Sequence, residues 1–308
     1  MSLLRKFVDS LHVNILRAGF REGLSPFSMS NHYQKSNVII HLQRGNVFVG
    51  KERTKLEENS FYFLPVGQPI YIQHGLPPYH DLGEDGFYSD IEVTKHLRLI
   101  HPTEDMNQCK QLYTLMAFDI SLFNAIPFFE ILDMPGFIIP PDDELAFLVK
   151  HTASEFHQDK LGKDKIIQNY MEEIVIHLCR FLDSQPKFEK HIQKLELLSD
   201  KRLVDIVKYI QMNLGKDLSN KTIANVAYVS EDYVGQFFKS LTKRNLQDYI
   251  ENQRLDKAMF YLRTEPDNIQ EIAHRVVGFK DPAYFSRRFK MRFGFNANSI
   301  RSQYSPLV

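Results

Sequence analysis

One stretch of sequence indicates the fold of the C-terminal third of the chain. It reads Ile272-Ala273-His-Arg-Val-Val-Gly278-Phe279-Lys-Asp-Pro-Ala-Tyr284-Phe285-Ser-Arg-Arg288-Phe289-Lys290. It predicts a short helix containing Ile-Ala, a tight turn, and a second helix in which aromatic pairs precede a lysine. The same order occurs earlier, in Ile223-Ala224…Tyr233-Val234…Phe237-Phe238-Lys239. Small alanines let the two helices cross closely, and the aromatic side chains bury one face of the second helix. We therefore predict two helix-turn-helix units.

Two further helices surround these repeats. An apolar stripe predicts a helix that precedes the first unit and stops at Gly215. A longer helix, about 246–263, joins the two units and stops before Pro266. The apolar stripe of the first helix is formed by Leu203, Ile206, Val207, Ile210 and Leu214.

The segment from about Ser219 to Arg301 resembles the AraC/XylS family of bacterial transcription regulators. The resemblance is carried by Ile269-Gln-Glu-Ile-Ala273, by the run from Gly278 to Lys290, and by Phe293-Gly294. The joining helix also has the spacing of the family, with Tyr249-Ile250, Arg254-Leu255, Ala258 and Tyr261-Leu262. About a third of the chain is covered.

This resemblance implies that each unit inserts a recognition helix into one of two successive major grooves of double-stranded DNA. The two half-sites would then be centred roughly 10 bp apart. The DNA-contacting positions of the family fall on Asp232, Gly235, Gln236 and Lys239 in the first helix, and on Ala283, Ser286, Arg287, Arg288 and Lys290 in the second. Arg288 faces either the phosphates or the aromatic core. The resemblance also implies a cytoplasmic homodimer that acts on promoters, with RNA polymerase as a candidate partner.

The chemistry of the two helices differs. Arg287, Arg288, Lys290 and Arg292 place four cations in six residues, and arginine can bond two acceptors of one guanine. The first helix opens instead with Glu231-Asp232, which suits a helix N-terminus but repels phosphate. Gly235 either lets the backbone approach DNA closely or marks weak base readout, and we favour weak readout.

The sequence departs from the family at two turns. Tyr228 stands in the first unit where a glycine is usual. In the second unit, four residues separate Ile272-Ala273 from Gly278-Phe279, one more than usual. The extra residue either rotates a helix by about 100° or lengthens the turn.

Charge is distributed unevenly over the 308 residues. The whole chain has 38 basic and 38 acidic residues, but residues 199–308 have 18 basic and 12 acidic ones. A basic C-terminal third favours a polyanion partner for that part. Cys109 and Cys179 have no spacing typical of a disulfide framework or a zinc module. We expect neither a secretory leader nor a membrane span.

The N-terminal region has the pattern of a β-domain. The runs 37–42 and 47–49 flank Arg44-Gly45-Asn46 and predict a hairpin, and the runs 60–64 and 70–73 predict two more strands. Members of the resembled family often carry a cupin-like barrel that binds a small effector. On that basis the candidate effector-binding residues are His41, Tyr62, Tyr71 and His74. A core or surface role is the alternative for each of them.

We expect no cofactor, no metal site and no catalytic residue. The cupin metal pattern of His-x-His with a downstream Glu and His is absent, and His32, His41, His74 and His80 are scattered. The sequence also has no phosphate-binding glycine loop and no nucleophile elbow.

Two amphipathic helices follow the β-domain. Asp142 is expected to cap the first, which runs to about His157, and the second runs from about Lys163 to Leu182. They either cover the sheet or pair with a second copy of the chain.

The predicted fold class is α+β, with an N-terminal cupin-like β-barrel, following helices, and an all-α C-terminal domain. The predicted domains are 1–140 for effector binding, 141–198 for dimerisation or linkage, and 199–308 for DNA binding. The predicted function is that of an effector-controlled, sequence-specific transcriptional regulator and not an enzyme. The alternatives are a cupin enzyme tethered to DNA, and a regulator whose N-terminal domain only dimerises.

Overall fold

The computed structural model describes residues 3–33, 36–82, 95–124, 126–242, 244–264, 268–276, 278–279, 281–293 and 296–299. The chain divides into two compact units. The first consists of Met1–Leu122 and Pro127–Leu195, and the second of Phe123–Ile126 and Glu196–Val308. The predicted middle region therefore lies almost entirely within the first unit.

The strands of the first unit form two sheets. Their bounds are β1 Leu11–Gly23, β2 Phe27–Tyr33, β3 Asn37–Arg44, β4 Val47–Val49, β5 Thr54–Lys55, β6 Phe61–Leu64, β7 Pro69–His74, β8 His80–Asp81, β9 Leu97–Ile100, β10 Leu112–Leu122, β11 Ile126–Pro127 and β12 Phe137–Ile139. One sheet has the order β12-β6-β3-β10-β1-β9, with β11 also on β10, and the other has the order β5-β4-β7-β2-β8. Among the strand pairs whose register is described, all are antiparallel except β2 with β8.

An apolar core lies between the two sheets. It combines residues of β3, β6 and β10 from one sheet with residues of β4 and β7 from the other. Side chains alternate along a strand, so Val38, Ile40 and Leu42 face this core from β3 while Ile39 and His41 face away from it.

The predicted hairpin after residue 37 is wrong. Strand β3 pairs with β10 and β6, whereas β4 pairs with β5 and β7 in the other sheet. Gly45 carries the chain between the sheets at φ +110°, where a Cβ would overlap the Gln111 side chain. Two separate sheets are described where the sequence predicted a closed cupin-like barrel, so that detail is not confirmed.

Strands β1 and β10 extend beyond the region that the sequence indicated. They pair from Leu11 opposite Leu122 to Glu22 opposite Leu112, with an irregularity between Ile15 and Arg17. Their burial does not alternate regularly, which removes the period-two signal that identifies a strand in a sequence.

Helices complete the first unit. Their bounds are α1 Leu3–Phe7, α2 Phe128–Leu132, α3 Asp143–Phe156, α4 Lys163–Ser184 and α5 Glu189–Gln193. Asp142 caps α3 by accepting a hydrogen bond from the Leu145 amide at 2.9 Å, as predicted. Helices α3 and α4 pack on each other and on β1, so they cover the sheet. Their outer faces still expose the apolar side chains of Phe147, Ile166 and Ile176.

The second unit is helical over its described residues. Its helices are α6 Lys201–Met212, α7 Asn220–Ala227, α8 Glu231–Thr242, α9 Leu246–Thr264, α10 Ile269–Glu271 and α11 Pro282–Phe293. A π-helical turn, Ile272–Val276, follows α10 directly. Across both units, no described helix is both long enough and apolar enough to cross a membrane.

Candidate nucleic-acid interface

The first helix-turn-helix consists of α7 and α8. The turn between them begins at Tyr228, which has the left-handed conformation φ 53°, ψ 45° and is 92% exposed. The Val229 amide then donates to the Ala224 carbonyl at 3.1 Å. Tyrosine therefore takes the backbone conformation for which the resembled family uses glycine.

The second helix-turn-helix uses Gly278 at the equivalent turn, with φ +74°. The Phe279 amide donates to the Ala273 carbonyl at 2.8 Å, one residue further along the chain than the matching bond in the first unit. The π-helical turn before it absorbs the additional residue. Neither a simple rotation of the helix nor a longer turn is needed.

The exposed face of α8 contains the predicted contact residues. At about 100° per residue, positions 232, 235, 236 and 239 fall on one side of a helix. Asp232, Gln236 and Lys239 are exposed, and nothing lies within 4 Å of a Cβ built on Gly235. Val234, Phe237 and Phe238 are buried on the other side.

Helix α11 presents three distinct stripes. Phe285 and Phe289 are buried in the core that joins α11 to α9. A second stripe, Tyr284, Arg288 and Arg292, bonds to α9. The third stripe is exposed and contains Ala283, Ser286, Arg287 and Lys290.

The bonds to α9 fix the orientation of α11. Glu251 accepts from both the Tyr284 hydroxyl and Arg288 Nε. The Glu251 carboxylate raises the pKa of both donors. Arg292 donates Nε and Nη2 to the two oxygens of Asp256, at 2.8 and 2.7 Å. Burial raises the pKa of Asp256, and Arg292 counteracts that effect.

These ion pairs involve two of the four cations that the sequence places together on α11. Arg288 and Arg292 are engaged by carboxylates of α9. Among the described residues, Arg287 and Lys290 form no ion pair; the Arg287 guanidinium lies 6.0 Å from the Tyr284 ring centre. The two cations that remain available for a polyanion are thus on the exposed stripe.

Arg254 of α9 links this helix to the segment that follows α6, next to the turn of the second helix-turn-helix. Its Nε and Nη2 donate to the carbonyls of Leu214 and Lys216, at 2.9 and 2.8 Å, beyond the end of α6. A Cβ on Gly278 would lie 2.9 Å from the Leu214 carbonyl oxygen and 3.1 Å from Arg254 Nη2. Only glycine therefore lets the second turn approach this point. Burial lowers the pKa of Arg254.

Glu251 and Asp256 were not predicted from the sequence as positioning residues. Glu251 and Asp256 are acidic residues on a helix, a pattern that looks like an ordinary solvated face. The signal that could have revealed them is the four-residue spacing of Tyr284, Arg288 and Arg292, which places three hydrogen-bond donors on one face of α11.

The four candidate effector residues do not lie together. Tyr62 belongs to the core between the sheets, and the His74 ring lies 4.9 Å from the ring of Tyr113 in the same core, tilted by 55°. His41 is on the opposite face of its sheet, where it stacks on Phe61 and its Nε2 donates to Asn59 Oδ1 at 2.9 Å. Tyr71 alternates with the core-facing residues of β7 and lies beneath Lys51 Nζ. One pocket lined by all four is therefore excluded.

Burial changes the titration of three of these residues. It lowers the pKa of His41 and of His74 to about 4 and raises the pKa of Tyr62 to about 12. His41 Nδ1 and His74 Nε2 are buried without a hydrogen-bond partner.

Comparison with known proteins agrees with this geometry. Residues 223–303 match the helix-turn-helix domain family. The transcriptional activator RhaS of Enterobacter is 29% identical over 103 residues, which are 33% of this chain and 37% of RhaS. The C-terminal part of the chain is therefore similar to the DNA-binding domain of AraC/XylS regulators.

Two further similarities differ in extent. The HTH-type transcriptional regulator YfiF of Bacillus subtilis is 22% identical over 287 residues, 88% of this chain and 86% of YfiF. The DNA-binding domain of AdpA, in a crystal structure with a target DNA, has 26% sequence identity to this chain and a TM-score of 0.32. That match covers 33% of this chain and 92% of the AdpA domain chain. The match to RhaS thus spans little more than a third of that relative.

Proposed function

We propose that this protein is a sequence-specific transcriptional regulator that reads two successive major grooves. The observation that carries the proposal is the pair of exposed faces at the same helical spacing. These are 232, 235, 236 and 239 on α8, and 283, 286, 287 and 290 on α11. Each belongs to a helix whose other side is buried, so DNA is the partner that the exposed side suits.

The two helices contribute unequally to this function. Arg287 reads a base, and Lys290 neutralises a phosphate at the adjacent backbone. On α8, Gln236 is the principal base-reading side chain, with Lys239 at a phosphate. Arg288 is already bound to Glu251, so it positions α11 against α9 and adds less to direct contact.

Salt dependence tests whether Lys290 binds phosphate. Each phosphate that a cation neutralises contributes about −0.9 to the slope of log affinity against log salt. Lys290→Ala should therefore weaken binding to all DNA sequences and reduce the slope by about one. Lys165→Ala, on an exposed position of α4, is the matched control and should change neither quantity. An unchanged slope for Lys290→Ala would refute the role of Lys290.

The N-terminal unit is proposed to bind a small effector in the core between its sheets. Tyr62 and His74 border that core, and the partnerless His74 Nε2 supports the idea. His41 and Tyr71 are better assigned to packing and to the surface. A ligand at 100 times its Kd should add about 2.7 kcal/mol to the free energy of unfolding, and a thermal-shift screen of small metabolites would detect it. A unit that only dimerises would show no such shift.

A homodimer is proposed to form through the helical face of the first unit. Phe147, Ile166 and Ile176 are 50%, 38% and 37% exposed there. The protein would act at promoters in the bacterial cytoplasm, with RNA polymerase as a possible partner, as a regulator rather than a DNA-tethered enzyme. Sedimentation velocity of the full chain would measure its oligomeric state.

A further inference from the structure

A histidine and two glutamates converge where α3 begins and α4 passes. Glu144 lies in the first turn of α3, and Glu173 and His177 lie four residues apart on α4. One ligand atom from each lies within 4.8 Å of the other two. Residues four apart on a helix share a face, so the fold holds Glu173 and His177 side by side.

The histidine is buried in a way that its protein contacts do not explain. Its side chain is only 9% exposed, and its Nε2 has no hydrogen-bond partner. Glu144 Oε2 is 3.7 Å from Nε2, beyond hydrogen-bonding distance. A buried ring nitrogen without a partner is costly, and it is aimed at the carboxylates.

A fourth residue lies on the other side of the ring. Asp142 Oδ2 is 3.9 Å from His177 Nδ1, while Asp142 Oδ1 caps α3. In metal sites the ligating imidazole characteristically has a carboxylate at its second nitrogen, which orients the ring. Asp142 thus lies on the Nδ1 side of the His177 ring at 3.9 Å, too far for a hydrogen bond, and Glu144 lies on its Nε2 side.

We propose that Glu144, Glu173 and His177 bind one divalent transition-metal ion, of which Zn²⁺ is the representative. One imidazole and two carboxylates suit such an ion, and three protein ligands leave a position for water. Ligands about 2.1 Å from the ion in a tetrahedral site are about 3.4 Å apart. Both glutamates are exposed, so their side chains can rotate by the small amount required.

The ion would join the first turn of α3 to the middle of α4. These helices cover the sheet of the first unit. An ion that binds only the folded unit stabilises it, and the stabilisation increases with the concentration of the ion. The site makes the first unit responsive to a cation, independently of whether it binds an organic effector.

The test is a Zn²⁺ titration of the full chain after chelator treatment and dialysis, by calorimetry and by thermal unfolding. The wild-type protein should bind Zn²⁺ at this site and unfold at a higher temperature when it does. His177→Gln and Glu173→Gln should each weaken this binding by about tenfold or more. Glu172→Gln changes a neighbouring exposed carboxylate of α4 and is the matched control, with binding unchanged.

Two results would overturn the proposal. One is a wild-type melting temperature that does not respond to Zn²⁺. The other is Glu173→Gln protein that binds Zn²⁺ as the wild type does. Glu173 is exposed, so this variant keeps the test valid even if His177→Gln fails to fold.

Discussion

Tyr228 and Gly278 occupy equivalent turns with a left-handed backbone conformation, which suits glycine but not tyrosine. A non-glycine residue in the left-handed region costs roughly 1–2 kcal/mol because its Cβ approaches a carbonyl oxygen. Tyr228 bears that cost at φ 53°, and its exposed ring recovers little by packing. Gly278 avoids the cost and also fits against the Leu214 carbonyl.

Tyr228→Gly should therefore raise the free energy of unfolding of the second unit by about 1 kcal/mol. Urea unfolding monitored by circular dichroism would measure the change. Gly278→Ala is the opposite case and should lower stability, because a Cβ there meets the Leu214 oxygen at 2.9 Å. A loss of stability in Tyr228→Gly would show that the exposed ring makes a favourable contact.

At the scale of single elements, Gly235 near the middle of α8 lowers the stability of that helix. Glycine in a helix interior costs about 1 kcal/mol relative to alanine, and the space around Gly235 is empty within 4 Å. Gly235→Ala should thus stabilise the second unit by about 1 kcal/mol and leave DNA affinity within about twofold of the wild type. Chemical denaturation and fluorescence anisotropy would give the two values. A large loss of affinity with normal stability would mean instead that the backbone at Gly235 approaches DNA closely.

Helix α11 shows what a sequence can and cannot indicate about an element. Its existence and its buried aromatic residues were predicted from the order of Tyr284, Phe285 and Phe289, whereas its DNA-facing positions were implied by the family resemblance. The division of its cations was not, because the pairing of Arg288 and Arg292 depends on where α9 passes. The π-helical turn was also not predicted, since an extra residue can be absorbed in several ways and only the packing selects one.

At the scale of the whole molecule, acid should destabilise the first unit. His41 and His74 titrate at about 4 in the folded protein but near 6.5 when unfolded, because burial disfavours their charged forms. Between these values the unfolded chain binds more protons, so stability rises with pH. The free energy of unfolding should fall as the pH decreases from about 6.5 to about 4.

Urea unfolding of the first unit at pH 5 and pH 7 would measure this effect. His74→Gln removes one titrating group and should reduce the difference between the two pH values. His151→Gln, which changes an exposed histidine of α3, is the control and should leave the difference unchanged. An equal difference in His74→Gln would refute the role of His74.

The structure of the second unit could be predicted from its sequence more completely than that of the first unit. In the second unit the local signals agree, because caps, Ile-Ala pairs and aromatic spacing all favour the same helices. The helices begin and end within a residue or two of the predicted bounds. In the first unit the strands at 37–44 and 61–64 were correctly predicted, but their partners were not. Strand pairing depends on distant residues such as β10, and a run of residues does not specify its partner.

The metal ligands illustrate the same distinction. Glu173 and His177 were visible in the sequence as a pair four residues apart on a helix. Glu144 joins them only because α3 packs against α4. No metal site was predicted from the sequence, because two residues on one helix do not indicate a site until the fold brings the third to them.

Selection of DNA fragments by the purified full-length chain at about 150 mM salt tests the central claim most directly. Wild-type protein should enrich a bipartite motif whose halves are centred about 10 bp apart. Arg287→Ala should lose discrimination of about 1–3 kcal/mol at one base pair in one half, and leave the other half unchanged. An enriched motif without that spacing, or a motif that Arg287→Ala does not alter, would contradict reading by two helices.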